Sequence, residues 1–240
     1  MSYTEKRGNI FNSNAMAIVN TVNCVGAMGK GIALDFKLRF PEMFKSYQKI
    51  CFEKKLRPGQ ILPFHDEDYL ILNFAIKDDW KDPAQIEWIE ECLQKFVNNY
   101  QRIGVTSVAF PWMGAMNGGI PIDIIKDITR KYLANLSDID IEVYDFDPKV
   151  SCPLFKELQT IYQKCNYTTA ELAEMSDIKE RYWIKINDAI ASGNIVSINN
   201  LCHYIVNGKR IIGKTNIERL FVFLTNHKKG KIKKQRQLSK

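Results

Sequence analysis

A chain of 240 residues, 45% hydrophobic and 25% charged, has the composition of an ordinary globular protein of one large domain or two smaller ones. None of its six cysteines forms a C-x-x-C pair, and the three histidines (His65, His203, His227) stand far apart, which argues against a metal site and against a secreted disulfide framework. The opening MSYTEKRGNIF lacks the apolar core of a signal peptide and no run of about 18 apolar residues occurs, so a reducing cytoplasm without membrane contact is expected.

Charge divides the chain. Residues 1–150 carry 18 Lys and Arg against 20 Asp and Glu, and residues 151–240 carry 16 against 7, a net −2 in front and +9 behind. The division predicts a domain over 1–150, a small basic domain over 151–227 and a basic, disordered tail over 228–240, the back end favouring a polyanion.

In chain order, residues 15–23 read as a strand that ends in the polar Asn20 and Asn23. A glycine-rich turn, Gly26-Ala27-Met28-Gly29-Lys30-Gly31, leads from it into a helix. EMFKSYQKICFEKK reads as a second helix, QILPF and DYLILNFAIK as strands, the latter nearly continuous in apolar residues. Asp82-Pro83 is expected to open a helix whose stripe is Ile86, Ile89, Leu93, Phe96, Val97 and Tyr100. VTSVAF is a buried strand, PWMGAMNGG a second glycine-rich loop, then come another helix and the strand IEVYDFD. This alternation predicts an α/β fold with a central sheet and helices on both faces, and ligands at the carboxyl ends of its strands.

Beyond Pro153 a linking helix, FKELQTIYQKC, is followed by TAELAEM, capped by Thr168-Thr169, and by DIKERYWIKINDAI, capped by Ser176-Asp177 and ended by Gly193. SINNLCHYIV and KRIIGK, joined by Asn207-Gly208, read as a hairpin, and a last helix carries Ile217, Leu220, Phe221 and Leu224. That order is the order of a small winged helix-turn-helix.

Taken alone, the first glycine turn is either a tight strand-to-helix connection or a phosphate cradle. It lacks the GKS/T ending of a Walker loop and the spacing of a dinucleotide fingerprint. A second loop of the same kind, Met113-Gly114-Ala115-Met116-Asn117-Gly118-Gly119, allows the pair to close over a diphosphate, with the Asn20 and Asn23 amides available to ribose hydroxyls. Trp80 and Trp112 flank this crevice, either to stack on a base or to pack its rim.

The runs GNIF, AIVNTVNCVGAMGKGIALDFKLRFPEMF, NFAIKDDW and FPWMGAMNGG, in order over about residues 7–148, resemble a macro domain. More narrowly they resemble the macro domain of DNA ADP-ribosyl glycohydrolases, the DarG antitoxins that reverse thymidine ADP-ribosylation by DarT toxins. The resemblance implies ADP-ribose as ligand, no cofactor and no metal. It places Asn9 and Ile10 at the adenine, Asn23 at the distal ribose, and Gly26, Met28, Gly29, Lys30 and Gly31 around that ribose and its phosphate. It places Met113, Gly114, Ala115, Met116, Asn117, Gly118 and Gly119 on the other phosphate, Phe146 against the adenine, and Lys77 in the role to which the family's activity is assigned.

Physically, a lysine there can act as nucleophile, as acid or base with a pKa depressed by burial or by Lys30, or as a fixed positive charge. The bland alternative is a solvated charge closing a strand. Several positions depart from the family. Where DarG proteins read Pro-Thr before the lysine this chain has Ala75-Ile76, Asp79 replaces the His before Trp80, Ala115-Met116 stand for a Cys-Gly pair, and Asn9 for the more usual Asp. Asp78 and Asp79 are expected to raise the lysine pKa if close.

For the basic back end three readings stay open. Nucleic acid can be contacted through Lys179, Arg181 and Lys185 on one helix and Lys209, Arg210 and Lys214 on the wing. The region can instead hold a cognate toxin, or present a solvated surface with no partner.

Overall fold

A computed structural model describes residues 2–230. The chain divides into two compact units, the first ending at Phe146 and the second beginning at Asp147.

The first unit is a six-stranded mixed sheet. Its strands are β1 (Tyr3–Gly8), β2 (Ala17–Val22), β3 (Ile61–His65), β4 (Leu70–Ala75), β5 (Ser107–Pro111) and β6 (Asp140–Phe146). They lie in the order β1-β6-β5-β2-β4-β3, all neighbours parallel except β3 and β4. Helices α1 (Gly31–Arg39), α2 (Pro41–Phe52), α3 (Ile86–Val97) and α4 (Ile122–Leu133) connect them.

Strand alternation sorts the core into two layers, because successive side chains leave opposite faces of a sheet. Ala17, Val19, Leu72, Phe74, Val108 and Phe110 pack with Ile89, Leu93 and Phe96 of α3 and Ile125 and Leu133 of α4. Ile18, Val22, Ile71, Ala75 and Ala109 pack with Phe36 of α1 and Met43, Tyr47 and Cys51 of α2. Helices therefore cover both faces, as the run of β4, buried at every position, requires. Each fully buried Leu or Phe contributes about 1.5–3 kcal/mol, so these stripes dock the helices.

Two local expectations for this unit fail. Asp82-Pro83 does not open α3, which begins at Ile86, because the intervening N–H groups have other acceptors: Ala84 N–H donates to Gly118 and Gln85 N–H to Ile76. The strand β1 was not expected, since its central residues are exposed and charged.

The second unit consists of α5 (Pro153–Lys164), α6 (Thr169–Ser176), α7 (Glu180–Ala191), α8 (Ile198–His203), the two-residue strands β7 (Ile205–Val206) and β8 (Lys209–Arg210), and α9 (Lys214–Lys228). Thr168 caps α6 in a full capping box with Glu171. Ser176 and Asp177 do not cap α7. Ser176 ends α6, Asp177 follows it in the left-handed region (φ 55°), and Lys179 is the N-cap of α7, without a side-chain bond.

SINNLC is helix, not strand: Ser197 accepts the Asn200 N–H at 3.1 Å and starts α8, leaving only Ile205–Val206 to pair across Asn207-Gly208. Lys214 opens α9 and lies outside the hairpin. That helix runs through Lys228, into the segment expected as tail, and residues 231–240 of the expected tail lie outside the described residues. No described helix is long and apolar enough to cross a membrane.

Candidate functional site

Parallel strands deliver their carboxyl ends to one edge of a sheet. Asn9 and Ile10 follow β1, residues 23–31 follow β2, Lys77 follows β4, residues 112–119 follow β5, and Phe146 ends β6. β2 connects onward to β4 on one side while β5 lies on its other, so the loops after β2 and β5 part at a switch point where such folds leave a crevice.

The first loop is built by Asn23. Its Oδ1 accepts N–H groups from Val25 (3.1 Å) and Ala27 (3.2 Å), and its Nδ2 donates to the Ala27 carbonyl at 2.6 Å. The Tyr47 hydroxyl lies 2.7 Å from the Asn23 carbonyl and 3.0 Å from its Oδ1, tying loop to α2. Asn23 is buried, so its amide shapes the loop from within. Met28 is buried in the α1/α2 core and anchors the loop, whereas Gly29, Lys30 and Gly31 are exposed where α1 begins. The first turn of that helix points free N–H groups outward, a natural seat for phosphate.

In the second loop Met113 and Gly114 are buried, and Gly114 and Gly119 sit at φ +80° and +82°, where side chains are strained. Ala115 is half-buried, while Met116, at φ 51°, and Asn117 are exposed. Gly118 is buried against Ala84: a Cβ on it would lie 3.3 Å from the Ala84 Cβ.

Lys77 joins the loops. The residue is half-buried, and its ammonium donates to the Asn117 carbonyl at 2.9 Å. Beside it the Ile76 N–H donates to Val22 and the Cys24 N–H to the Asp78 carbonyl, so the chain leaving β4 is laced to the chain leaving β2. Burial lowers the Lys77 pKa, and the Asp82 carboxylate opposes it. Asp82 thus takes the part expected of Asp78 and Asp79.

Other expectations meet the structure unevenly. Asn20 does not reach the crevice. It is fully buried between Ile18 and Val22, with Nδ2 donating to Asn73 Oδ1 at 2.8 Å. Asn9 is buried, its Oδ1 accepting the Phe11 N–H at 3.0 Å, and Ile10 lies in the core. Phe146 is 39% exposed and pairs in register with Gly8, so the residues expected at adenine share one end of the edge. Trp112 is a core residue, buried beside Phe110 and Met113, while Trp80 is 54% exposed. The bracing by Asn23 and Tyr47 escaped sequence reading, because it depends on a contact between β2 and α2. An open groove toward the amino ends of the strands is occupied by its own polar pairs, Lys6 with Glu142 at 2.6 Å and the Ser2 N–H with Asp140 at 2.8 Å.

Comparison with known proteins agrees with this geometry. A macro domain profile matches residues 19–129. The chain is 38% identical over 144 residues to a DNA ADP-ribosyl glycohydrolase of Thermus aquaticus, the match covering 58% of this chain and 40% of that protein. Among solved structures, the macrodomain of Thermus aquaticus DarG superimposes with a TM-score of 0.57 at 36% identity, covering 60% of this chain and 97% of that one. Thermosipho africanus DarTG in complex with ADP-ribose gives a TM-score of 0.56 at 28% identity, covering 64% and 44%. The chain spans 40% of the length of the curated relatives it matches. A sheet of this order, two glycine loops at its switch point and the matched span of sequence agree: the chain belongs to the macro domain family.

Proposed function

We propose that the first unit binds ADP-ribose along this edge and hydrolyses the bond joining it to a nucleic-acid base. The observation that carries the reading is Lys77 held between the loops, its ammonium on the Asn117 carbonyl and its pKa lowered by burial. Relatives named DNA ADP-ribosyl glycohydrolase support the reaction, and the neighbour solved with ADP-ribose supports the ligand. The fusion protein of Thermosipho africanus, named as transferase and glycohydrolase together, supports a cognate transferase as source of substrate and as partner.

In this reading the turn 26–31 and the loop 114–119 hold the diphosphate, and Asn9, Ile10 and Phe146 bound the adenine end. The C–N bond between the ribose anomeric carbon and the base breaks, water supplies hydroxide to that carbon, and a proton goes to the departing base. A lysine whose pKa is lowered is a stronger acid than a free one, so Lys77 as ammonium supplies that proton, and the proton that the attacking water gives up restores the Lys77 ammonium. No cofactor enters this scheme.

The test is release of free ADP-ribose from a thymidine-ADP-ribosylated oligonucleotide, with Lys77→Ala beside the parent. Release by the parent that vanishes in the variant supports the proposal. Tight ADP-ribose binding by calorimetry with no release would make the unit a reader, and neither binding nor release would defeat both readings.

A further inference from the structure

The second unit contains a structural arrangement that the ADP-ribose reading does not use. α6 and α7 are joined by three residues, Asp177, Ile178 and Lys179, the first in the left-handed region (φ 55°). Two helices linked by such a short turn have the connectivity of a helix-turn-helix, in which the second helix can enter a major groove.

This turn is fixed from several sides. The fully buried Trp183 of α7 donates its indole N–H to Ser176 Oγ at 2.8 Å, and the same oxygen accepts the Ile178 N–H at 3.2 Å. The Thr169 hydroxyl of α6 donates to Glu180 of α7 at 2.6 Å. From α9, Arg219 donates to the Asp177 carbonyl at 2.7 Å and pairs with its carboxylate at 3.0 Å, while Phe223 meets the Trp183 ring edge-on at 5.5 Å. A helix held this firmly can present side chains at fixed spacing.

Cations outnumber acids among those side chains. Trp183, Ile186, Ala189 and Ile190 turn α7 inward, leaving Lys179 just before the helix and Arg181, Ile184 and Lys185 on it exposed, with the acidic Glu180 and Asp188 exposed toward its two ends. Ile184 is 48% exposed between two cations, a poor choice for a merely solvated face. Further along, Lys209 and Arg210 lie on the exposed hairpin β7–β8. Residues 151–230 hold 11 Lys and Arg against 7 Asp and Glu, and the sequence 231–240 adds five more cations and no acid.

We infer that the second unit docks on double-stranded DNA, with the exposed face of α7 in the major groove and the hairpin on the backbone. Arg181 and Lys185 supply donors for guanine edges, Ile184 meets a thymine methyl, and Lys209 and Arg210 pair with phosphates. The macro domain is thereby concentrated on its polymer without new contacts of its own.

The test is fluorescence anisotropy of the full chain on unmodified duplexes, using a site selected from a random pool, at several salt concentrations. The α7 substitutions Arg181→Ala and Lys185→Ala are expected to weaken binding to the selected site by about tenfold each and to relax its sequence preference. Lys209→Ala is expected to weaken all duplexes alike and to lower the salt slope by about one. These positions are exposed, so melting temperatures should stay at the parent value. α7 variants that bind as the parent does would overturn the inference, as would single strands bound as tightly as duplex. So would a chain that binds no duplex but captures a purified cognate transferase.

Discussion

The Asn117 side chain of the second glycine loop lies over Gly31 of the first, so close that a Cβ on Gly31 would sit 2.5 Å from its Nδ2. Since the Asn117 carbonyl also holds Lys77, one residue sets both the gap between the loops and the position of the lysine. Gly31→Ala should therefore turn the exposed Asn117 amide away from the first loop and open the contact between the two loops. Gly31 is exposed at φ +56°, so the strain is local and costs about 1 kcal/mol. ADP-ribose affinity should fall about tenfold or more while the melting temperature shifts by only a few degrees. Calorimetry beside a thermal melt decides it, and parent-like affinity would mean the loops do not act as a pair.

The lysine sets a pH dependence. Burial lowers the Lys77 pKa and Asp82 raises it, with burial the larger effect. If the ammonium is the acid, the rate is full below that lowered pKa and is lost as pH rises through it. Removing the opposing carboxylate by Asp82→Asn lowers the pKa further, so the alkaline limb should move to lower pH. Lys77→Arg keeps the charge but gives up no proton, and should lose most of the rate while still binding ADP-ribose. A limb in Asp82→Asn that moves upward, or stays where the parent has it, would remove Lys77 from the acid role.

Tyr47 offers a test of how the first loop is held. Its buried hydroxyl faces both oxygens of Asn23, and Tyr47→Phe leaves a buried amide short of a partner. Loss of that bond costs about 1–3 kcal/mol. Urea unfolding should shift its midpoint downward accordingly, with ADP-ribose restoring part of the loss. An unchanged midpoint would show that the three bonds from Asn23 to Val25 and Ala27 hold the loop unaided.

What the sequence showed and what it hid follow from where the information lies. β2 and β5 are apolar runs that lead into turns rich in asparagine or glycine, and β4 is an apolar run that stops at Lys77, so their carboxyl ends, and with them the crevice, are legible. β1 is not, because among the described residues it lies at the sheet edge, pairs with β6 alone and can leave Glu5, Lys6 and Arg7 in solvent. Asn20 was misread by its chemistry alone, whereas its spacing of two from Ile18 and Val22 places it on the inner face of a strand. Pro83 looks like a helix opener locally, yet the acceptors Gly118 and Ile76 that draw the next N–H groups away are 34 and 9 residues distant from Ala84 and Gln85. SINNLC, too short to show a clear period, was decided by the Ser197 cap.

Two glycines separate what the fold needs from what a ligand needs. Gly114 sits at φ +80°, and a Cβ there would come within 2.7 Å of Ile89 Cδ1 and 3.1 Å of Ile120 Cδ1. Ile89 is fully buried against the sheet and has nowhere to retreat. Gly114→Ala combines backbone strain with overpacking and should cost about 1–3 kcal/mol. Gly29 has no such reason to be glycine: its φ is ordinary and a Cβ would meet nothing within 4 Å. Gly29→Ala should melt with the parent, or slightly above it, since alanine narrows the unfolded ensemble. The open space beside Gly29 lies where the first loop meets the start of α1, the seat proposed for phosphate. A methyl group there should therefore weaken ADP-ribose by several-fold or more with no loss of stability. If Gly29→Ala binds like the parent, the ligand does not approach that backbone, and the phosphate must sit nearer the loop 114–119.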